Sequence, residues 1–182
     1  MRLPFNITFA ILLTLFSFNL LAAPGLQSNT PPAMSNQHLG EIIKRLDNKA
    51  EGQPGFWTFT IEGKVLRVIT DEKANRMRII APIIKSDELK KQDLYRLMQA
   101  NFDTALDARY AIAKGVVWSS YLHPLKSLTD KDFITAVGQV VNLVSTYGSS
   151  FSSGLLFFNG GDSEGLQRRK LIDELLKKGL VV

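Results

Sequence analysis

The chain of 182 residues contains no cysteine. That excludes disulfides, thiolate metal sites and a lipid-modified N-terminal cysteine. Histidine is scarce as well, with only His38 and His123. No second donor stands four residues from His38, where a helical metal pair needs one, so neither metal nor cofactor is expected. His38 reads instead as a solvent-exposed residue opening a helix. Glycine patterns that mark chemistry are missing too. The run Gly148-Ser149-Ser150-Phe151-Ser152-Ser153-Gly154 lacks the Lys-Ser/Thr ending of a phosphate loop. No nucleophile elbow surrounds Ser119 or Ser120, so a triad with His123 and Asp130 has only proximity in sequence behind it. Asp103 and Asp107 read as solvated loop acids rather than an acid–base pair. The chain lacks internal repeats, and it lacks a basic stripe with interleaved aromatics, so nucleic acid is not an expected partner.

Charge is absent from the stretch after Arg2. Leu3 to Leu21 is apolar, rich in Phe, Leu and Ile, and ends in Ala22-Ala23. A basic start, an apolar centre and small residues at the end form the layout of a secretory signal peptide. The stretch is also about long enough to cross a bilayer as an uncleaved anchor. The Ala-Ala-Pro-Gly sequence and the absence of basic residues beyond it favour cleavage. The expected organisation is a signal peptide at 1–22, a Pro-, Ser- and Asn-rich linker at 23–35, an α+β domain at 36–158 and a helical tail at 159–182. The expected compartment is the periplasm. The net charge of +5 is spread among acids, as in Asp71-Glu72-Lys73, and reads as a mixed soluble surface.

Leu39, Ile42, Ile43 and Leu46 repeat at i, i+3, i+4, i+7 behind Ser35 or Asn36, which predicts a first helix ended by Gly52 and Pro54. Phe56 to Ile61 and Val65 to Thr70 alternate around Glu62-Gly63 and predict a hairpin. A third strand runs from Arg76, half exposed through Arg76 and Arg78, to about Ile80, with Pro82 ending it or placing it on an edge. Ser86 or Asp87 caps a second helix whose expected buried face is Leu89, Leu94, Leu97, Met98 and Phe102. Strands Ala108 to Ala113 and Val116 to Leu122 flank Lys114-Gly115. Thr129 caps a third helix with Phe133, Val137, Val140, Val141, Val144 and Tyr147 on its apolar face. Glu164 to Lys178 forms a fourth, amphipathic helix. The order α-β-β-β-α-β-β-α, plus a C-terminal helix, predicts an α+β fold: an antiparallel five-stranded sheet with helices packed on it. Its expected core joins Phe59, Ile61, Val68, Ile79, Ile112 and Val117 to Ile42, Leu46, Leu97, Val137 and Val141. Trp57 and Trp118 read as core or sheet-face residues.

Several short motifs resemble a known family. Ile80-Ala81-Pro82-Ile83 is similar to the "yAPL" strand of type III secretion chaperones of the Tir-chaperone type. Leu97-Met98-Gln99-Ala100-Asn101-Phe102 is similar to the "LLeAN" end of their central helix. Tyr110-Ala111-Ile112 with Lys114-Gly115-Val116-Val117-Trp118 resembles their paired strands around a glycine turn. Leu125, Leu128, Thr129 and Phe133 resemble the entry to their last helix. The YbjN family shares the plan. The resemblance covers about Leu39 to Tyr147. It implies a dimer that binds segments of other proteins on an apolar surface. The family is usually acidic and cytoplasmic, whereas this chain carries an export signal, a basic balance and an added tail.

The expected function is therefore an exported, non-enzymatic adaptor or chaperone-like domain that binds another protein or itself. A small-molecule or lipid-binding domain is the alternative. The expected binding residues are the apolar run Leu155, Leu156, Phe157 and Phe158 with Ile172, Leu175 and Leu176 of the tail helix. Membrane contact through that helix is conceivable but not expected.

Overall fold

The computed structural model describes residues 32–153 and 163–180. The expected signal peptide, most of the linker and the run Leu155 to Phe158 lie outside these. Among the described residues no helix is long and apolar enough to cross a membrane.

Helix α1 (Asn36–Leu46) begins where the Ser35 hydroxyl accepts the His38 N–H. It buries Leu39, Ile42, Ile43 and Leu46, the stripe its spacing predicts. Six strands follow in two groups: β1 (Glu51–Gln53), β2 (Phe56–Ile61), β3 (Lys64–Asp71), β4 (Arg76–Lys85), then β5 (Arg109–Ala113) and β6 (Val116–His123). Between the groups lies α2 (Lys91–Asp103), and after them come α3 (Asp130–Ser145) and α4 (Ser163–Gly179). All neighbouring strands pair antiparallel in the order β1-β2-β3-β4-β6-β5. The fold is α+β with an antiparallel sheet, as expected, but the sheet has six strands rather than five.

The sixth strand is β1. Its sequence, Glu-Gly-Gln, has no apolar pattern, so nothing in its side chains announces a strand. Its pairing is made by backbone. A Cβ on Gly52 would lie 2.3 Å from the Phe56 carbonyl oxygen, so only glycine admits this approach.

Strand β4 corrects a second expectation. It runs past Pro82 to Lys85 and sits centrally between β3 and β6. Its pairing with β3 reaches Arg67 opposite Ile80, while Pro82 faces only Trp118 of β6, next to a register shift between Pro82 and Ile84. The missing proline N–H thus falls where the strand has a neighbour on one side only, and the bulge absorbs it.

The second helix starts later than its acids suggest. Ser86–Glu88 forms a single 3-10 turn, Leu89 is extended, and α2 begins after Lys90, whose N–H is accepted by Asp93. Neither Ser86 nor Asp87 is its cap.

Alternation puts Trp57, Phe59, Ile61, Leu66, Val68, Met77, Ile79, Ala81, Tyr110 and Val117 on one face of the sheet, all buried. Helix α3 lies on that face against β4, β6 and β5, and α1 packs beside β2. Of the expected core, only Ile112 stays exposed, at the β5 edge. Helix α4 packs on α3 and α1. It comes close because two crossing points lack side chains: a Cβ on Gly138 would lie 2.4 Å from Ile172, and one on Gly179 would lie 2.6 Å from Ile134. The Arg45 Nε–H donates to the Gly179 carbonyl at 2.7 Å, satisfying one of the orphan acceptors at the end of α4.

Candidate functional site

The residues that first suggest chemistry are held in structural roles. His38 is half-buried rather than exposed. Its Nε2 meets the Asp130 carboxylate at 2.8 Å, tying the start of α1 to the first turn of α3. His123 Nδ1 bonds the Pro124 carbonyl at 2.8 Å, and its ring stacks on Tyr121. Asp130 is engaged with His38, and Ser119 Oγ is buried without a partner. The structure therefore does not join Ser119 or Ser120, His123 and Asp130 into a relay. No group of three metal-ligating side chains occurs among the described residues.

The serine-rich run also has a role that its sequence does not announce. Helix α3 and its C-cap carry Gln139, Asn142 and Thr146 at i, i+3, i+7, all buried. Gln139 Oε1 accepts the N–H groups of Asp107 and Ala108, and its Nε2 donates to Asp107. Asn142 donates to the Ser153 carbonyl, and Thr146 exchanges two bonds with Ser152. This polar stripe satisfies the backbone of two loops that cross the core. Tyr110, Tyr147 and Phe151 close the same end edge to face, with the Arg96 guanidinium 4.8 Å above the Phe151 ring.

The tail helix places its expected residues inside the chain. Ile172 and Leu175 are buried at 4% and 5% exposure, and Leu176 is partly buried. Leu155, Leu156, Phe157 and Phe158 lie outside the described residues.

Two other surfaces remain apolar and open. The first is the sheet face opposite α3. Register aligns Phe56, Ile69, Arg78 and Leu122 in one row across four strands. Thr58, Arg67, Ile80, Ser120 and Arg109 form the next row. Phe56, Val65, Ile69 and Leu122 are 43%, 43%, 39% and 59% exposed. A hollow of about 460 Å³ opens at the end of the first row, lined by Ile69, Arg76, Arg78, Leu122 and His123 among others. The second surface is α2. Leu97 and Ala100 face inward, while Leu94, Tyr95, Met98 and Phe102 point away from the chain, Phe102 at 90% exposure. Leu94, Met98 and Phe102, expected on the buried face of this helix, are therefore surface residues. Apolar patches of this kind mark interaction sites. The alternation of Phe56, Thr58 and Thr60 against Trp57, Phe59 and Ile61 holds the signal for the first surface. It shows that a strand has a second face with large side chains, but not that this face goes uncovered.

Comparison with known proteins finds no matching family model and no matching curated protein. Solved structures do match. ExsC in the ExsC–ExsE complex aligns at a TM-score of 0.51 with 14% identity, covering 62% of this chain and 89% of that one. The type III secretion chaperone SycH of Yersinia pestis, in complex with a stable fragment of YscM2, aligns at 0.48 with 16% identity over 62% and 98%. The HopA1–SchA chaperone–effector complex aligns at 0.46 with 12% identity over 62% and 94%. The likeness is one of fold: the chain has a type III secretion chaperone-like fold, as its strand and helix motifs suggest.

Proposed function

We propose that this chain is a non-enzymatic, chaperone-like protein-binding domain that holds part of another polypeptide against the open face of its sheet. The observation that carries the proposal is the asymmetry of the sheet. One face is sealed by helices, while the other keeps Phe56, Val65, Ile69 and Leu122 in water. Such exposure costs solubility, and a partner that covers it recovers about 25 cal/mol per Å² of apolar area. The sequence layout at Arg2 to Ala23 supports placing this activity in the periplasm after signal cleavage.

A photo-cross-linking residue at position 122, introduced in cells, tests the first part. An adduct with another protein is expected at 122 and not at the exposed Lys131 of α3, on the opposite face of the sheet. Equal labelling at both positions, or none at either, sinks the reading. Cell fractionation with the mass of the N-terminus tests the second part. Recovery of the chain with Met1 in the cytoplasm ends the periplasmic proposal.

Helix α2 supports a further partner, a second copy of the chain. Tyr95, Met98 and Phe102 lie along one side of α2 at the β5 edge of the sheet, and Ile112 of β5 is exposed beside it.

A further inference from the structure

The open sheet face is basic as well as apolar. Arg67, Arg76, Arg78 and Arg109 all belong to it by register, and none makes an ion pair among the described residues. Two acids share the face. Glu51 stands opposite Thr58 on the β1 edge. Asp71 stands opposite Arg76, but its Oδ1 is spent accepting the Ala74 N–H at 2.8 Å in the β3–β4 turn. The face therefore presents apolar side chains interspersed with guanidiniums that have no ion-pair partner among the described residues.

The backbone of this face is committed to the ladder, so a ligand lying on it must bind through side chains. That favours a helix over an added strand, which would need a free edge. The row from Phe56 to Leu122 crosses three strand spacings, about 14 Å. An α-helix covers that distance in about three turns, presenting apolar residues at i, i+3, i+4 and i+7.

We infer that this face takes an acidic amphipathic helix of a partner protein. Its apolar stripe lies along Phe56, Ile69 and Leu122, and its carboxylates meet Arg76 and Arg78 at the hollow. The inference rests on the protein-binding reading and adds the chemistry of the partner. Arginine suits this task because its planar fork takes a carboxylate in two parallel bonds while its stem lies on apolar surface.

The test uses the purified protein and three fluorescein-labelled helical peptides of about three turns. One carries a leucine stripe flanked by glutamates, the second the same stripe flanked by lysines, and the third the glutamates with alanines in place of leucines. Fluorescence anisotropy reads affinity, and amide chemical shifts read location. The leucine–glutamate peptide is expected to bind, weaken as salt rises, and shift Ile69, Arg78 and Leu122. The other two are expected to bind at least about tenfold more weakly. R76Q/R78Q, both at exposed positions, is expected to lower affinity about twofold to thirtyfold, the size of two exposed charge pairs. Leu122→Ser separates the apolar contribution without touching charge.

Equal affinity for the glutamate and lysine peptides overturns the inference. So does binding that shifts α2 and leaves the sheet face unmoved, although protein binding itself then stands. Binding of none of the peptides also overturns it, and the cross-linking at position 122 then decides the protein-binding reading separately. Tighter, arginine-dependent binding to phosphatidylglycerol vesicles or duplex DNA than to the leucine–glutamate peptide replaces the helix with a lipid or nucleic-acid ligand.

Discussion

Helix α3 buries ten of its 16 residues, whereas α2 buries only Leu97 and Ala100 of its 13. Both carry large apolar side chains at helical spacing. The difference lies in what stands opposite. Helix α3 has the sheet on one side and α4 on the other, so Phe133, Val137 and Val141 are enclosed and its polar residues are drafted to satisfy loop backbones. Helix α2 meets the sheet chiefly at the β5 edge. Its outward residues have no internal partner among the described elements. An apolar stripe therefore shows that a helix will bury something, and the topology decides whether that happens within one chain.

The contrast can be broken most forcefully at Phe133, which is fully buried. Phe133→Ala is expected to cost about 3–5 kcal/mol of unfolding free energy, measured by urea denaturation. A loss under about 1 kcal/mol would show that α3 is not the keystone its burial suggests. Gln139→Leu keeps the volume of the side chain but orphans the N–H groups of Asp107 and Ala108. It is expected to cost about 2–3 kcal/mol by the same measurement.

Tyr121 gives a pH-dependent case. Its burial, with Asp107 and Asp132 adding, pushes the phenol up to about 12 from an ordinary 10.0. The unfolded chain loses this proton near pH 10 while the folded chain holds it. The contribution is therefore intact below about pH 10 and is lost as pH rises from there toward about 12. Tyr121→Phe should lessen the fall in stability across that window, to which Tyr110 and Tyr147, also raised by burial, still contribute, and leave stability at pH 7 little changed, read by denaturation at stepped pH.

Ser119→Ala removes a buried hydroxyl without a partner. It should be neutral or stabilise by up to about 1 kcal/mol, and a loss larger than that would mean the hydroxyl is satisfied in solution. The smallest effect on stability belongs to α2. Phe102→Ser should change it by less than about 0.5 kcal/mol, since the ring is already in water. Light scattering should nevertheless show a dimer reduced to a monomer. An unchanged dimer would mean that copies meet elsewhere, and a monomeric parent would mean that α2 serves another partner.

How much was legible follows the same divide. Strong local periodicity placed the β2–β3 and β5–β6 hairpins nearly to the residue and the starts of α1 and α3 as well, but α1 ends at Leu46, short of the Gly52 expected to stop it, and Gly52 belongs to β1. The hairpin turns use Glu62-Gly63 and Lys114-Gly115, with positive φ at both positions, so even the non-glycine residue is held where the tight hairpin needs it. Features set by distant backbone were not legible. Strand β1 exists because β2 offers an edge, β4 continues through Pro82 because β3 has already left, and the serine run is ordered by Asn142 and Thr146. For the candidate site, the sequence points to apolar residues in search of partners, but Ile172 and Leu175 find theirs inside the chain. The open face is legible only once the position of α3 is known, because alternation marks two sheet faces without saying which one the helices choose.

The seam between α1 and α4 has a temporal consequence. Arg45, near the front of the described chain, closes on the carbonyl of Gly179, near its back, and Gly138 in between is the notch that Ile172 fills. A chain leaving the ribosome brings out α1 well before α4. The Arg45–Gly179 seam and the Gly138 notch therefore stay unfilled until α4 has emerged. Closure of this part of the fold is tied to synthesis through α4, which makes it a late event.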